Sequence, residues 1–177
     1  RLIYGGRVSL AIAYSASALS IIIGVTLGMI AGFYGGWVDD ALIWFINTLE
    51  SIPSIFLLLI ASTIWSPSPA VLVMLLAVFG WASTCRLVRG EVLTLRERDY
   101  VLAARALGAP SRRLMTHHIL PNVVSTVIVA LTINAGSLIL IESGLSFLGL
   151  GVQAPTPSWG NMLTDARTYF AKGTYLV

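Results

Sequence analysis

The sequence predicts an all-α membrane protein, a polytopic helical bundle with four transmembrane helices. Three observations carry that expectation. The 177 residues are 56% hydrophobic and only 11% charged, with a mean hydropathy of +0.85. Soluble domains carry about 25% charged residues, so this chain has too few to cover a water-facing surface. About 20 apolar residues cross the ~30 Å hydrocarbon core of a bilayer, and four stretches are long enough to do so. Finally, seven of the eleven Lys and Arg residues fall between Arg86 and Arg113, a clustering that suits a loop on one side of a membrane.

The first span covers about 10–33, uncharged and rich in Ile, Leu, Ala and Gly. Gly24, Gly28 and Gly32, spaced by four, make a small-residue stripe of the kind that packs helix on helix. The second span, about 41–65, contains the acid Glu50, and Pro53 is expected to kink it and free a backbone carbonyl. "SPSP" at Ser66–Pro69 breaks the next apolar run, which starts a third span at about 69–88. The fourth covers about 120–141. The segment from 89 to 119 is then a connecting loop, and 142–177 lies beyond the last span. No fixed-period repeat or low-complexity tract interrupts this order. The lone Cys85 cannot form an internal disulfide. Beginning at Arg1 and closing on "KGTYLV", the chain reads as part, or the ordered core, of something longer.

Lys and Arg concentrate in cytoplasmic loops. Arg86, Arg89, Arg96, Arg98, Arg105, Arg112 and Arg113 therefore put the loop between the third and fourth spans inside. Alternation puts "YGGWVDD" (Tyr34–Asp40) inside as well, with "WSPSP" and the segment after Glu142 outside. Arg1, Arg7, Arg167 and Lys172 then become external, four scattered charges against seven clustered ones.

Within the basic loop, "DYVLAARALGAPSRRLMTHHILPN" (Asp99–Asn122) alternates charge with apolar residues, a pattern of short amphipathic helices at a membrane surface. Asp99 is a candidate cap for a helix beginning around Tyr100. Ala103, Ala104, Arg105, Ala106 and Leu107 favour helix. Gly108 sits where a left-handed C-terminal residue is wanted. Pro110 and Ser111 start a second helix, with Ser111 as candidate cap, leading into "HHILP". The first helix is short and built from small residues, so another protein's surface could approach it closely. An ordinary solvated connector is the alternative reading.

Ala103-Ala104, then Gly108, then Leu120-Pro121, at this spacing, resembles the EAA motif of ABC importer permeases. Leu102 stands where that family has its glutamate, and His118 where it usually has isoleucine. "ESGLSFLGLGVQAPTPSWGNML" (Glu142–Leu163), "RLIYGGRVSL" and "GFYGGWVDD" narrow the resemblance to the dipeptide, oligopeptide and nickel permeases, C-type subunit. The likeness covers nearly the whole chain. It implies six spans in the full subunit, of which these are the second to fifth. It also implies that Asp99–Gly108 is a cytoplasmic coupling helix seated in an ATPase groove, with Asp99, Ala103, Ala104, Gly108, Leu120 and Pro121 as the coupling residues.

The same resemblance implies the company the chain keeps: a second, B-type permease, two ABC ATPase subunits, an extracytoplasmic substrate-binding protein and a peptide cargo, in a prokaryotic inner membrane. The chain has no Gly-rich phosphate loop of the GxxxxGK[ST] type, so ATP and Mg belong to the partner ATPase and no cofactor is expected on this chain. It is expected to be a transport subunit, not an enzyme. Nickel or a metal complex is the alternative cargo.

Candidate path-lining residues are Asn47, Thr48, Glu50 and Ser51 on the second span and Asn134 and Ser137 on the fourth. Glu50 is the one charge within the apolar part of a span, where a carboxylate must face water or find a partner. Packing within the bundle is the competing reading for Glu50, and helix-to-helix hydrogen bonding for Asn134 and Ser137. Past Pro155-Thr156-Pro157, an amphipathic helix is expected over Ser158–Ala171, either a docking surface for the binding protein or an interfacial anchor through Trp159, Tyr169 and Phe170.

Other classes fit less well. An intramembrane enzyme needs a nucleophile and base at depth, but His117 and His118 are the only histidines and lie in the basic loop. A channel or secondary transporter would show inverted repeats and midplane acids, and only Glu50 qualifies. A non-transporting scaffold for an ATPase is the remaining rival. Nucleic acid is a poor match for an arginine loop lying against a membrane without interleaved aromatics.

Overall fold

A computed structural model of the chain describes residues 2–65, 68–153 and 155–169. Every regular element among these residues is a helix: α1 (Leu2–Tyr34), α2 (Gly36–Glu50), α3 (Ser54–Ile64), α4 (Pro69–Leu95), α5 (Asp99–Ala106), α6 (Ser111–Arg113), a π-helical turn (Leu114–Ile119), α7 (Leu120–Phe147) and α8 (Trp159–Tyr169). Three helices are long and apolar enough to cross a membrane, or four if α2 and α3 make up one broken span. α6, the π turn and α7 run together as one of the three, Ser111–Phe147.

Several boundaries differ from the sequence-based expectation. α1 starts at Leu2, well before residue 10: it runs through Gly5 and Gly6, where the missing side chains admit Ser158 and Trp159 against the helix. Tyr34–Asp40 is not a loop: Gly35 alone joins α1 to α2, and φ is positive at both Gly35 and Gly36 (64° and 55°). The stretch 41–65 is not one kinked helix. α2 stops at Glu50, and Pro53 is the extended N-cap of α3 with φ −55° and ψ 125°. The Thr48 carbonyl near the break accepts a hydrogen bond from Ser51 Oγ at 2.7 Å, a local solution to the backbone problem a broken span creates. α4 runs past 88 to Leu95, so part of the expected loop is helix.

The described residues fall into two compact units. The first comprises those in 1–18, 53–79 and 133–177; the second, those in 19–52 and 80–132. In the first, Ile12, Ala13 and Ala16 of α1 meet Leu58, Leu72, Leu76, Leu138 and Leu145 in one buried cluster. α7 ends there at Gly149 (φ 77°), with Leu150 N–H donating to Leu145 O at 2.9 Å and Gly149 N–H to Ser146 O at 3.0 Å. This is a Schellman closure. Because it falls at Gly149 and not near residue 142, Glu142 lies inside the helix and is fully buried. Its Oε1 accepts from Ser146 Oγ at 2.8 Å, and Ser146 Oγ accepts in turn from Val152 N–H at 3.0 Å.

The "PSWGN" stretch is packed against helices of the same unit. Ser158 Oγ accepts from Asn161 N–H at 3.2 Å, capping α8. Trp159 donates its indole N–H to Leu2 O at 3.1 Å and its backbone N–H to Ser9 Oγ at 3.2 Å. Gly160 lies so close to α7 that a Cβ there would be 2.5 Å from Ser143 O. The side chain of Tyr169, and all of Phe170 and Lys172, lie outside the described residues, as does the side chain of Arg167.

In the second unit α1 packs on α4 backbone to backbone. A Cβ on Gly28 would lie 2.6 Å from Cys85 O, and one on Gly32 would lie 2.9 Å from Arg89 O. The small-residue stripe is therefore a helix seam.

Candidate functional site

The Asp99–Asn122 stretch is built on that seam. Met29 and Phe33 of α1 and Val88 and Val92 of α4 form a buried cluster with Val101 of α5, Leu114 and Ile119 of the π turn and Val123 of α7. Val101, Leu114 and Ile119 are almost wholly enclosed. They pin an otherwise polar segment to the bundle.

α4 gives way to α5 through Arg96, Glu97 and Arg98. The N-cap is Arg98, extended at φ −71° and ψ 142°, with no side-chain cap bond. Asp99 is thus the first residue of the helix, not its cap; its carboxylate still favours the positive helix start, as Arg105 favours the negative end. Ser111 likewise opens α6, with Pro110 as N-cap. Gly108 does take the left-handed conformation, at φ 83°. Ala109 N–H donates to Ala104 O at 3.1 Å and Gly108 N–H to Arg105 O at 3.0 Å, a second Schellman closure.

One face of α5 is buried and the other is free. Val101 is enclosed and Ala104 is half-buried against the cluster, one turn along. Leu102, Ala103, Ala106 and Leu107 are exposed, Leu107 to 89%. The two alanines of the pattern therefore differ: Ala103 faces out, Ala104 faces in. Leu120 is half-buried on the same cluster, while Pro121, Asp99 and Gly108 are exposed.

Pro121 lies inside a continuous helix. Proline has no N–H and crowds the carbonyl four residues earlier, here that of His117. The preceding turn widens to accommodate it, with Leu120 N–H donating to Met115 O five residues back. Asn122 Nδ2 donates to His118 O at 2.7 Å and to Tyr100 Oη at 3.4 Å, linking α7 to α5.

The path candidates divide between the two units. Glu50 Oε2 pairs with Arg86 Nη1 at 2.6 Å, and Asn47 Oδ1 accepts from Arg86 Nη2 at 2.9 Å. Glu50 is thus partnered within its own unit. Thr48 Oγ1 and Ser51 Oγ donate to the carbonyls of Trp44 and Thr48. Ser137 Oγ donates to Ile133 O at 3.1 Å, with Asn134 one turn before it on α7.

Sequence reasoning missed Asp39, Arg89 and Glu142. Asp39 is buried in the first turn of α2, and Arg89 Nε and Nη2 grip its two carboxylate oxygens in a fork. Arg86 and Arg89, one turn apart on α4, thereby hold acids eleven residues apart on α2. The i,i+3 arginine pair was a usable signal, but charge counting absorbed it into the loop.

Helices throughout the described residues, three or four of them long and apolar enough to span a membrane, define a class, that of polytopic α-helical membrane proteins. Residues 24–177 match the family described as "Binding-protein-dependent transport system inner membrane component", and the chain belongs to it. It is therefore a multi-pass inner membrane protein of a transport permease family. It is 39% identical over its whole length to the dipeptide transport system permease protein DppC of Alkalihalophilus pseudofirmus, covering 58% of that relative. It is 41% identical over 91% of its length to the oligopeptide transport system permease protein OppC of Mycobacterium tuberculosis (strain H37Rv), covering 56% of it. With the glutathione transport system permease protein GsiD of Pectobacterium atrosepticum the identity is 38% over 95% of the chain and 56% of the relative. The chain spans little more than half the length of these relatives.

Proposed function

We propose that this chain is the core of a C-type permease subunit in an ATP-driven importer of di- and oligopeptides. α5 would seat in a groove of a separate ATPase, and that partner would carry ATP and Mg. The observation that carries the proposal is the two-faced construction of α5. Val101 and Ala104 fix it to the bundle, while Leu102, Ala103, Ala106 and Leu107 form an exposed, mostly apolar surface. An exposed apolar patch on a rigid mount suits a protein partner. Rigidity matters because a lever must pass on displacement without absorbing it, as in rigid-body switching between two states.

Peptide cargo is supported by the names of the relatives, which read dipeptide, oligopeptide and glutathione. In this reading a B-type permease completes the pore and an extracytoplasmic binding protein delivers cargo. Asn47, Glu50, Ser51, Asn134 and Ser137 remain the proposed polar path residues. Reconstitution of the full-length subunit with its partner permease, ATPase and binding protein tests the reading. ATP-dependent accumulation of labelled dipeptide is expected. Uptake that proceeds at the same rate without ATP would refute the importer and favour a channel.

A further inference from the structure

Four arginines of the basic cluster are engaged within the second unit, and three of them converge on one place. Arg89 of α4 forks onto buried Asp39 at the start of α2. Arg96, just past α4, donates from Nη1 to Gly32 O at 2.9 Å and Phe33 O at 3.5 Å, carbonyls in the last turn of α1. Arg105 of α5 places its guanidinium carbon 5.6 Å from the centre of the Phe33 ring. All three contacts fall on the elbow where α1 becomes α2. Gly35, which joins them, and Gly36, the first residue of α2, are both at positive φ.

Each contact has its own chemistry. A bidentate guanidinium–carboxylate pair fixes orientation as well as distance. A cation at a helix C-terminus satisfies carbonyls that lack intrahelical donors. A guanidinium over an aromatic face adds a cation–π attraction. Two paired glycines make the elbow the most conformationally permissive point between α1 and α2. A rigid mount on one side of a permissive joint is the arrangement of a hinge.

We infer that the α1–α2 elbow is the joint through which movement of α5 reaches α2, with Arg89, Arg96 and Asp39 as positioning residues for the ATP-driven switch. The inference rests on the coupling role proposed for α5. Displacement of α5 acts on Phe33 through Arg105 and on α2 through the α4 arginines. Arg86, one turn before Arg89, extends the same grip to Glu50 at the far end of α2.

The test uses the assembled transporter with full-length subunits and asks how many dipeptides enter per ATP hydrolysed. For Asp39→Asn the ATPase is expected to remain bound and cross-linkable at position 103, while uptake per ATP falls about 10-fold. The charge-swapped pair Asp39→Arg with Arg89→Asp is expected to recover most of that ratio. An assembled Asp39→Asn transporter whose ratio stays within about twofold of wild type would overturn the inference. If Asp39→Asn does not assemble, Arg96→Gln, which leaves the buried pair intact, decides by the same ratio. A wild-type transporter with neither ATP-dependent uptake nor the cross-link would instead remove the importer reading itself.

Discussion

Two helices in this chain end in the same backbone motif, and what surrounds them differs. α5 closes at Gly108 and α7 at Gly149, each by a Schellman motif with a left-handed glycine. Gly108 belongs to the second unit, where charged contacts supplement the apolar cluster and the glycine seam: Arg89 on Asp39, Arg86 on Glu50, Arg96 on the end of α1. Around Gly149 the first unit supplements its apolar cluster with hydroxyl contacts and one close backbone approach: Ser146 between Glu142 and Val152, Ser158 on α8, Gly160 against α7. The difference suits different tasks. A guanidinium fork fixes distance and orientation between two elements, as passing movement from one to the other requires. Hydroxyl and glycine contacts fit a tight turn together without needing a counter-charge.

The largest expected effects come from filling the close backbone approaches, one in each unit. Gly160→Val would push a side chain into Ser143 O, and Gly28→Val would push one into Cys85 O. Each is expected to cost at least about 3 kcal/mol, more than ordinary overpacking, because backbone cannot step aside. The purified proteins should show a collapsed thermal transition or aggregate on gel filtration. A near-native melting temperature for Gly28→Val would mean the α1–α4 seam is looser than described.

Next come the charged and hydroxyl networks themselves. Glu142→Ala leaves the Ser146 hydroxyl without its acceptor in a buried site and is expected to cost about 1–3 kcal/mol, whereas Glu142→Gln retains an acceptor and should cost less. Thermal unfolding of the two variants side by side measures the difference. Equal losses would show that the carboxylate's charge, not its acceptor oxygen, is what the site requires.

The two left-handed glycines should respond alike. Gly108→Ala and Gly149→Ala each force a Cβ into positive φ, at an expected cost of about 1–2 kcal/mol. Neither position has an atom within 4 Å of the added Cβ, so the backbone conformation alone sets the cost. A large disparity in melting temperature would locate extra constraint at one cap. The smallest effect is expected at Glu50→Gln. With side chains 41% and 39% exposed, the Arg86–Glu50 pair in water would be worth about 0–1 kcal/mol. Its loss should scarcely move the unfolding transition.

What could be read from the sequence follows from the range of each signal. Gly108 and the short helix before it were legible because capping and turn chemistry are local. Helix-grade hydrophobicity located the apolar runs, but the fourth was closed by the rule that a charge ends a span, a rule not applied to Glu50 in the second. That rule misplaced Glu142, whose carboxylate is satisfied by Ser146 one turn away, and cut α7 short by six residues. It also placed Arg89 in the connecting loop when it lies on α4. The Asp39–Arg89 pair spans fifty residues, and its existence depends on the relative register of two helices, which no local pattern encodes. The inward turn of Ala104 against the outward turn of Ala103 depended on which face Val101 would bury.

That last distinction gives the most direct test of the coupling claim. Single cysteines at each position from 101 to 107, in full-length subunits with Cys85→Ser, would be cross-linked to the ATPase with and without nucleotide. Nucleotide-sensitive cross-links are expected at 102, 103, 106 and 107, with none at 101 and 104. Cross-links at 101 and 104 but not at 103 and 107, or none at any position in an assembled transporter, would contradict the account.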